Sequence, residues 1–181
     1  QRIDVIDGLE VTCIDAAMPM VMFRAKDLGL SGREAPAELD ANAALLERIE
    51  RVRRIAGERM GLGDVSNSVV PKPVIASAGD DDQSITSRYF TPRRCHSAHA
   101  VTGAIGVATA FSLPGTVASG PVQSAGVRTI SILHPQGRIG VEVCVEGEGN
   151  DARIQRAALI RTARKILQGQ LTLPPYVFSE A

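Results

Sequence analysis

The chain has 181 residues, 44% of them hydrophobic, and sets 20 lysines and arginines against 20 aspartates and glutamates. That length suits one domain, or at most two small ones, with a substantial apolar core, and demands no disulfide or metal staple. Zero net charge excludes the broad basic field that recruits nucleic acid or an anionic membrane, so an anionic ligand must be held by local groups.

The chain opens with Gln1-Arg2-Ile3-Asp4, which has neither an initiator methionine nor the basic-then-apolar start of a signal peptide. The expectation is a segment of something longer. Arg2 to Ile6 and Leu9 to Ile14 are rich in Val, Ile and Thr, and Asp7-Gly8 between them is a hairpin signal, so two antiparallel strands are predicted. Met20 to Arg24 reads as a third strand, followed by a loop carrying Gly29, Gly32 and Pro36. An amphipathic surface helix follows, with Asp40 as its cap. Leu45, Ile49, Val52, Ala56 and Met60 recur at three- and four-residue steps, Glu47, Arg48, Glu50, Arg51 and Arg54 fill the other face, and Gly61 and Gly63 stop it.

Val74 to Ala76 is a short apolar strand, and Gly79-Asp80-Asp81-Asp82 an acidic turn expected to be solvated. Ser84 to Phe90 is β-branched and aromatic and reads as a strand ended by Thr91-Pro92. From about His99 to Ser112 the residues leave no polar face, which predicts a helix surrounded by protein. Pro114-Gly115 ends this apolar stretch too early for it to span a membrane. Val127 to Leu133 and Arg138 to Glu146 are strands joined by the turn His134-Pro135-Gln136-Gly137. Ile154 to Leu167 is ambiguous between strand and helix, and Gln170 to Pro174 reads as a short strand or edge. The fold class expected is α+β, a curled, mostly antiparallel sheet around the buried helix from His99, in a single domain over residues 1–181.

Cys13, Cys95 and Cys144 are an odd number without CxxC or zinc-ligand spacing, which points to a reducing, cytoplasmic setting and to no metal site. Cys13 reads as packed in a strand. Cys95 follows two arginines, yet an inert thiol is the favoured reading, and His134 is read as a turn residue and Lys72 as a solvent-exposed lysine.

The segment that can carry chemistry is Ser87-Arg88-Tyr89-Phe90-Thr91-Pro92-Arg93-Arg94-Cys95-His96-Ser97-Ala98-His99-Ala100-Val101-Thr102-Gly103-Ala104. A helix beginning there aims unpaired amides, those of Thr102 and Gly103 among them, at whatever precedes it, with the positive end of its dipole behind them. Arg88, Arg93, Arg94, His96 and His99 add donors around this opening. The residues alone leave two readings open: a carboxylate cradle, or a helix end closed by its own loop with the arginines in solvent.

The same string resembles the second-domain signature of the 2-methylaconitate isomerase and 4-oxalomesaconate tautomerase family, the PrpF family, and more distantly the phenazine-biosynthesis isomerases and diaminopimelate epimerases. Cys13-Ile14-Asp15-Ala16-Ala17-Met18-Pro19-Met20, His134-Pro135-Gln136-Gly137 and Arg161-Thr162-Ala163-Arg164 with Gly169 agree with it in family order. The resemblance implies two similar halves facing each other across a cleft, of which this chain is the C-terminal one. It implies cofactor-free proton transfer that moves a double bond in an unsaturated di- or tricarboxylate. It assigns substrate contact to Met18, Pro19, Val101, Thr102 and Gly103, with Arg88, His96 and His99 on the rim. No catalytic residue is assigned in this chain: the lysine and cysteine that would carry protons belong to the first half, which stands as the chain's missing partner. A homo-oligomer is left open. The reading of another class is a noncatalytic carboxylate-binding or accessory module.

Overall fold

The computed structural model describes residues 2–121 and 124–174. Eight strands form one sheet in sequence order, β1 (Asp4–Ile6), β2 (Leu9–Asp15), β3 (Pro19–Arg24), β4 (Lys72–Ala78), β5 (Ser84–Tyr89), β6 (Gly126–His134), β7 (Gly137–Glu146) and β8 (Arg153–Leu159). The helices are α1 (Pro36–Ala41), α2 (Ala43–Arg59) and α3 (Val101–Ser112). Neighbouring strands are antiparallel except β3 with β4 and β5 with β6. Parallel neighbours need a crossover, and the two helical insertions supply it: α1 and α2 between β3 and β4, α3 between β5 and β6.

Alternation along the strands sorts side chains onto two faces. Met20, Met22, Val74, Ala76, Ile85, Tyr89, Ile130, Ile132, Val141 and Val143 share one core with Ala104, Val107, Ala108 and Phe111 of α3. Val11, Val21, Phe23, Ile75 and Phe90 point the other way, into a second core with Leu45, Ile49, Val52 and Ala56 of α2. The amphipathic helix therefore covers one face of the sheet and the apolar helix packs on the other. Close approach of α3 depends on two glycines. A Cβ on Gly103 would stand 2.4 Å from Cε2 of Tyr89, and one on Gly106 would stand 2.1 Å from Cε of Met20.

Several expectations change. Asp40 does not cap the long helix: it lies within α1, and its carboxylate accepts the amide of Cys95 at 2.7 Å. Asn42 caps α2 instead, its side chain accepting from Leu45 N at 3.1 Å. The apolar helix begins at Val101, because Ala100 is extended (φ −75°, ψ 142°). The ambiguous stretch resolves as β8 only as far as Leu159, and residues 160–174 form no helix or strand, so the strand expected from Gln170 to Pro174 is absent. Ile166, Leu167 and Leu171 of this run stay exposed among the described residues, Ile166 at 92%. The acidic turn is solvated as expected, its aspartates exposed, and Asp80 makes surface ion pairs with Arg33 at 2.9 Å and Arg138 at 2.7 Å. Among the described residues no helix is long and apolar enough to cross a membrane.

Candidate active site

β5 and α3 meet at the start of the apolar helix. The first intrahelical bond runs from Ala104 N to Ala100 O at 2.9 Å, and no side chain caps the end. The amides of Val101, Thr102 and Gly103 precede that bond and are left to an outside acceptor. Val101 is 45% exposed, so this end of α3 opens to solvent while its last turns are buried. Three aligned donors at the positive end of a twelve-residue helix fit a carboxylate.

All three histidines of the chain gather here, around Tyr89. The rings of Tyr89 and His99 lie 5.1 Å apart, those of Tyr89 and His96 6.3 Å, and those of His99 and His134 6.4 Å. His99 is buried, with Nδ1 2.9 Å from Ala100 O and Nε2 2.9 Å from Ser87 Oγ. A carbonyl only accepts, so Nδ1 carries the proton and Nε2 accepts from the Ser87 hydroxyl. Burial lowers the pKa of His99 to about 4, keeping it neutral. Both of its nitrogens are engaged inward; it ties β5 to the residue from which α3 departs.

His96 and His134 are oriented differently. Nδ1 of His96 accepts from Ala98 N at 3.0 Å, and Nδ1 of His134 accepts from Gln136 N at 3.3 Å. Each neutral ring then carries its proton on Nε2, as a donor.

The remaining predicted residues take distinct places. Met18 packs against the α3-side core, and Pro19 begins β3 beside Asp15. The turn before them holds Ala17 at φ 68°, a left-handed conformation disfavoured for a residue with a Cβ, and places Ala16 O 3.4 Å from the Cβ position of Gly106. Met18, Pro19 and the α3 start are thus brought to one end of the sheet. Arg88 lies on the opposite face of β5 from Ser87 and Tyr89. It is buried, Nε donates to Glu34 O at 2.7 Å and Nη1 to Ser87 O at 3.2 Å. Its guanidinium fastens the loop before α1 to the sheet.

Lys72 heads β4 beside Met20 of β3 and is half-buried, with burial lowering its pKa. Burial pushes both the Cys13 and Cys95 thiols up to about 11, which keeps them protonated and unreactive at neutral pH. Ser87 and Tyr89 also belong to this corner. Their signal is the period of two along β5, which puts Ile85, Ser87 and Tyr89 on one face. A cavity of about 490 Å³ lies elsewhere, at the C-terminal end of α3 between Ala76, Ile85, Phe111 and Val117. It contains none of the predicted site residues, which gather with the uncapped amides and the histidines at the other end of α3. Among the described residues no group of histidine, cysteine, aspartate or glutamate could hold a metal ion.

Comparison with known proteins agrees with the sequence resemblance. The chain is 50% identical over 173 residues to the protein named "Putative isomerase YbhH" from Escherichia coli K12, covering 96% of this chain and 49% of that one. It is 41% identical to "(4E)-oxalomesaconate Delta-isomerase" of a Novosphingobium strain, over 92% of this chain and 46% of that one. The crystal structure of methylitaconate-delta-isomerase superposes with a TM-score of 0.71 at 21% identity, over 88% of this chain and 49% of that chain, which establishes a shared fold. The chain spans about half the length of the curated relatives it matches. The family described as PrpF protein matches residues 1–174, and the chain belongs to the PrpF family.

Proposed function

We propose that this chain supplies one wall of a cofactor-independent isomerase that moves a double bond in an unsaturated di- or tricarboxylate. Methylaconitate-, aconitate- and oxalomesaconate-like acids are the substrate class. The observation that carries the reading is the α3 start: three amides without a capping side chain, at an exposed rim, backed by a buried helix. In this reading the sheet curls around α3 as in the diaminopimelate epimerase-like fold, and a second such half, absent from this chain, closes the cleft. Val101, Thr102, Gly103, Met18 and Pro19 line it on this side, with His96 at the rim; Arg88 and His99, which the resemblance also put at the rim, are buried and hold the scaffold behind it instead.

The chemistry follows from where charge develops. Removing a proton next to a carboxylate spreads negative charge into that carboxylate, and the proton then returns two carbons away. Fixed amide donors bind the charge-rich transition state more strongly than the ground state. Tied by His99 to Ser87, the α3 start meets that charge without reorganising. No base is assigned here: the acid and base come from the absent half, within hydrogen-bond reach of the substrate. The segment by itself is therefore inactive, and the setting is the cytoplasm.

Proton NMR in heavy water tests this. The full-length polypeptide is incubated with a panel of unsaturated tricarboxylates, and exchange of allylic protons with isomer formation is the expected result. Shifted resonances without exchange would identify a noncatalytic carboxylate-binding module instead.

A further inference from the structure

We propose that His134 is a further substrate-binding residue, its ring Nε2–H donating to a second carboxylate of the polycarboxylate whose first carboxylate sits on the α3 amides. This rests on the isomerase reading above. As a turn residue His134 needs only to precede Pro135, but three observations give it more to do.

Register places it. Ile85 pairs with Ile132 and Thr86 with Leu133, so the next step sets His134 beside Ser87. Ile85 and Ile132 both enter the α3-side core; two residues further along, Ser87 and His134 therefore share that face. The ring contact with His99 at 6.4 Å agrees with this placement. Orientation is fixed as well. The Gln136 amide occupies Nδ1, which settles the tautomer and leaves Nε2–H as a donor that no described residue accepts.

The charged and polar groups around it are positive or neutral. The groups that act electrostatically on His134 are Arg88, His96 and Arg161, and those acting on His99 are Ala100, His134 and His96. An anion entering this corner meets His96 from the loop before α3, His134 from the β6–β7 hairpin and the positive charge of Arg161 from the segment after β8. A neutral imidazole suits the position, because it can donate while half-buried without the desolvation cost of a cation.

The test uses the full-length polypeptide and propane-1,2,3-tricarboxylate, a saturated acid that cannot isomerise. Calorimetry gives its affinity, and ¹⁵N–¹H NMR follows the His134 Nε2 resonance, assigned by its loss in His134→Gln. The expected result is a saturable shift of that resonance with the calorimetric dissociation constant. His134→Ala weakens affinity about tenfold, the loss expected for one buried donor, and His134→Gln, which restores an N–H near Nε2, recovers most of it. Binding with an unmoved His134 resonance, or His134→Ala binding as the wild type does, overturns the inference alone. If His134→Ala does not fold, the wild-type resonance decides. A wild-type protein that binds no tricarboxylate overturns the isomerase reading together with this one.

Discussion

Helices α2 and α3 lie on opposite faces of one sheet, and their N-termini are built in opposite ways. Asn42 closes the first turn of α2, and the same helix buries Arg53, 1% exposed, with Nε and Nη2 bonded to Glu50 at 2.6 and 2.9 Å and further bonds to Val65 O and Val70 O. Both the cap and the buried guanidinium find their partners within the chain. At the start of α3 no side chain caps the amides, although the rest of that helix is the most buried in the molecule. Helix α2 is finished as structure, whereas α3 is left unfinished at the one end that faces outward. The difference separates residues that hold the fold from residues that, in the function proposed here, meet a ligand.

The largest effect should come from the finished helix. Arg53→Ala strands Glu50 and two carbonyls and should cost about 3–5 kcal/mol in urea denaturation, an outcome specific to α2; a cost near zero would mean that the network is ornamental. His99 sharpens the contrast from the α3 side. Its folded pKa of about 4 lies below its ordinary 6.5, so the unfolded chain binds the extra proton first. The contribution is fully present above pH 6.5 and is lost as pH falls toward 4, amounting to about 3 kcal/mol over that interval. Thermal melts from pH 7 to pH 4 should show this decline, and His99→Asn, which does not titrate, should flatten it. Smaller effects come from the turns and caps. Asn42→Ala should lower stability by about 1 kcal/mol. Ala17→Gly should raise it by about 1 kcal/mol, since glycine adopts φ 68° without strain.

Much of this was legible from pattern. The Asp7-Gly8 hairpin, the β6–β7 hairpin and the two helices follow from turn chemistry and from periods of two and 3.6. What failed were choices between close alternatives. Asp40 and Asn42 are both good caps two residues apart, and a tertiary contact with Cys95 N claims the first. The parallel pairing of β3 with β4 and of β5 with β6 leaves no local mark, because it is set by the helices crossing between them. Residues 160–174 form no helix or strand, and Ile166, Leu167 and Leu171 stay exposed among the described residues, so local pattern had no outcome to find. In the site, the α3 start could be read directly. The inward ties of His99 and Arg88 could not, because spacing gives neighbours along the chain and not the carbonyls a side chain will meet across it.

One substitution addresses the unfinished helix without disturbing its body. Val101 is the first residue of α3, and Ala100 before it is already extended at ψ 142°, so Val101→Pro removes one amide donor at a position where proline is well tolerated. Full-length Val101→Pro is expected to melt at or above the wild-type temperature but to bind propane-1,2,3-tricarboxylate about tenfold more weakly. Wild-type affinity in a folded Val101→Pro protein would contradict it.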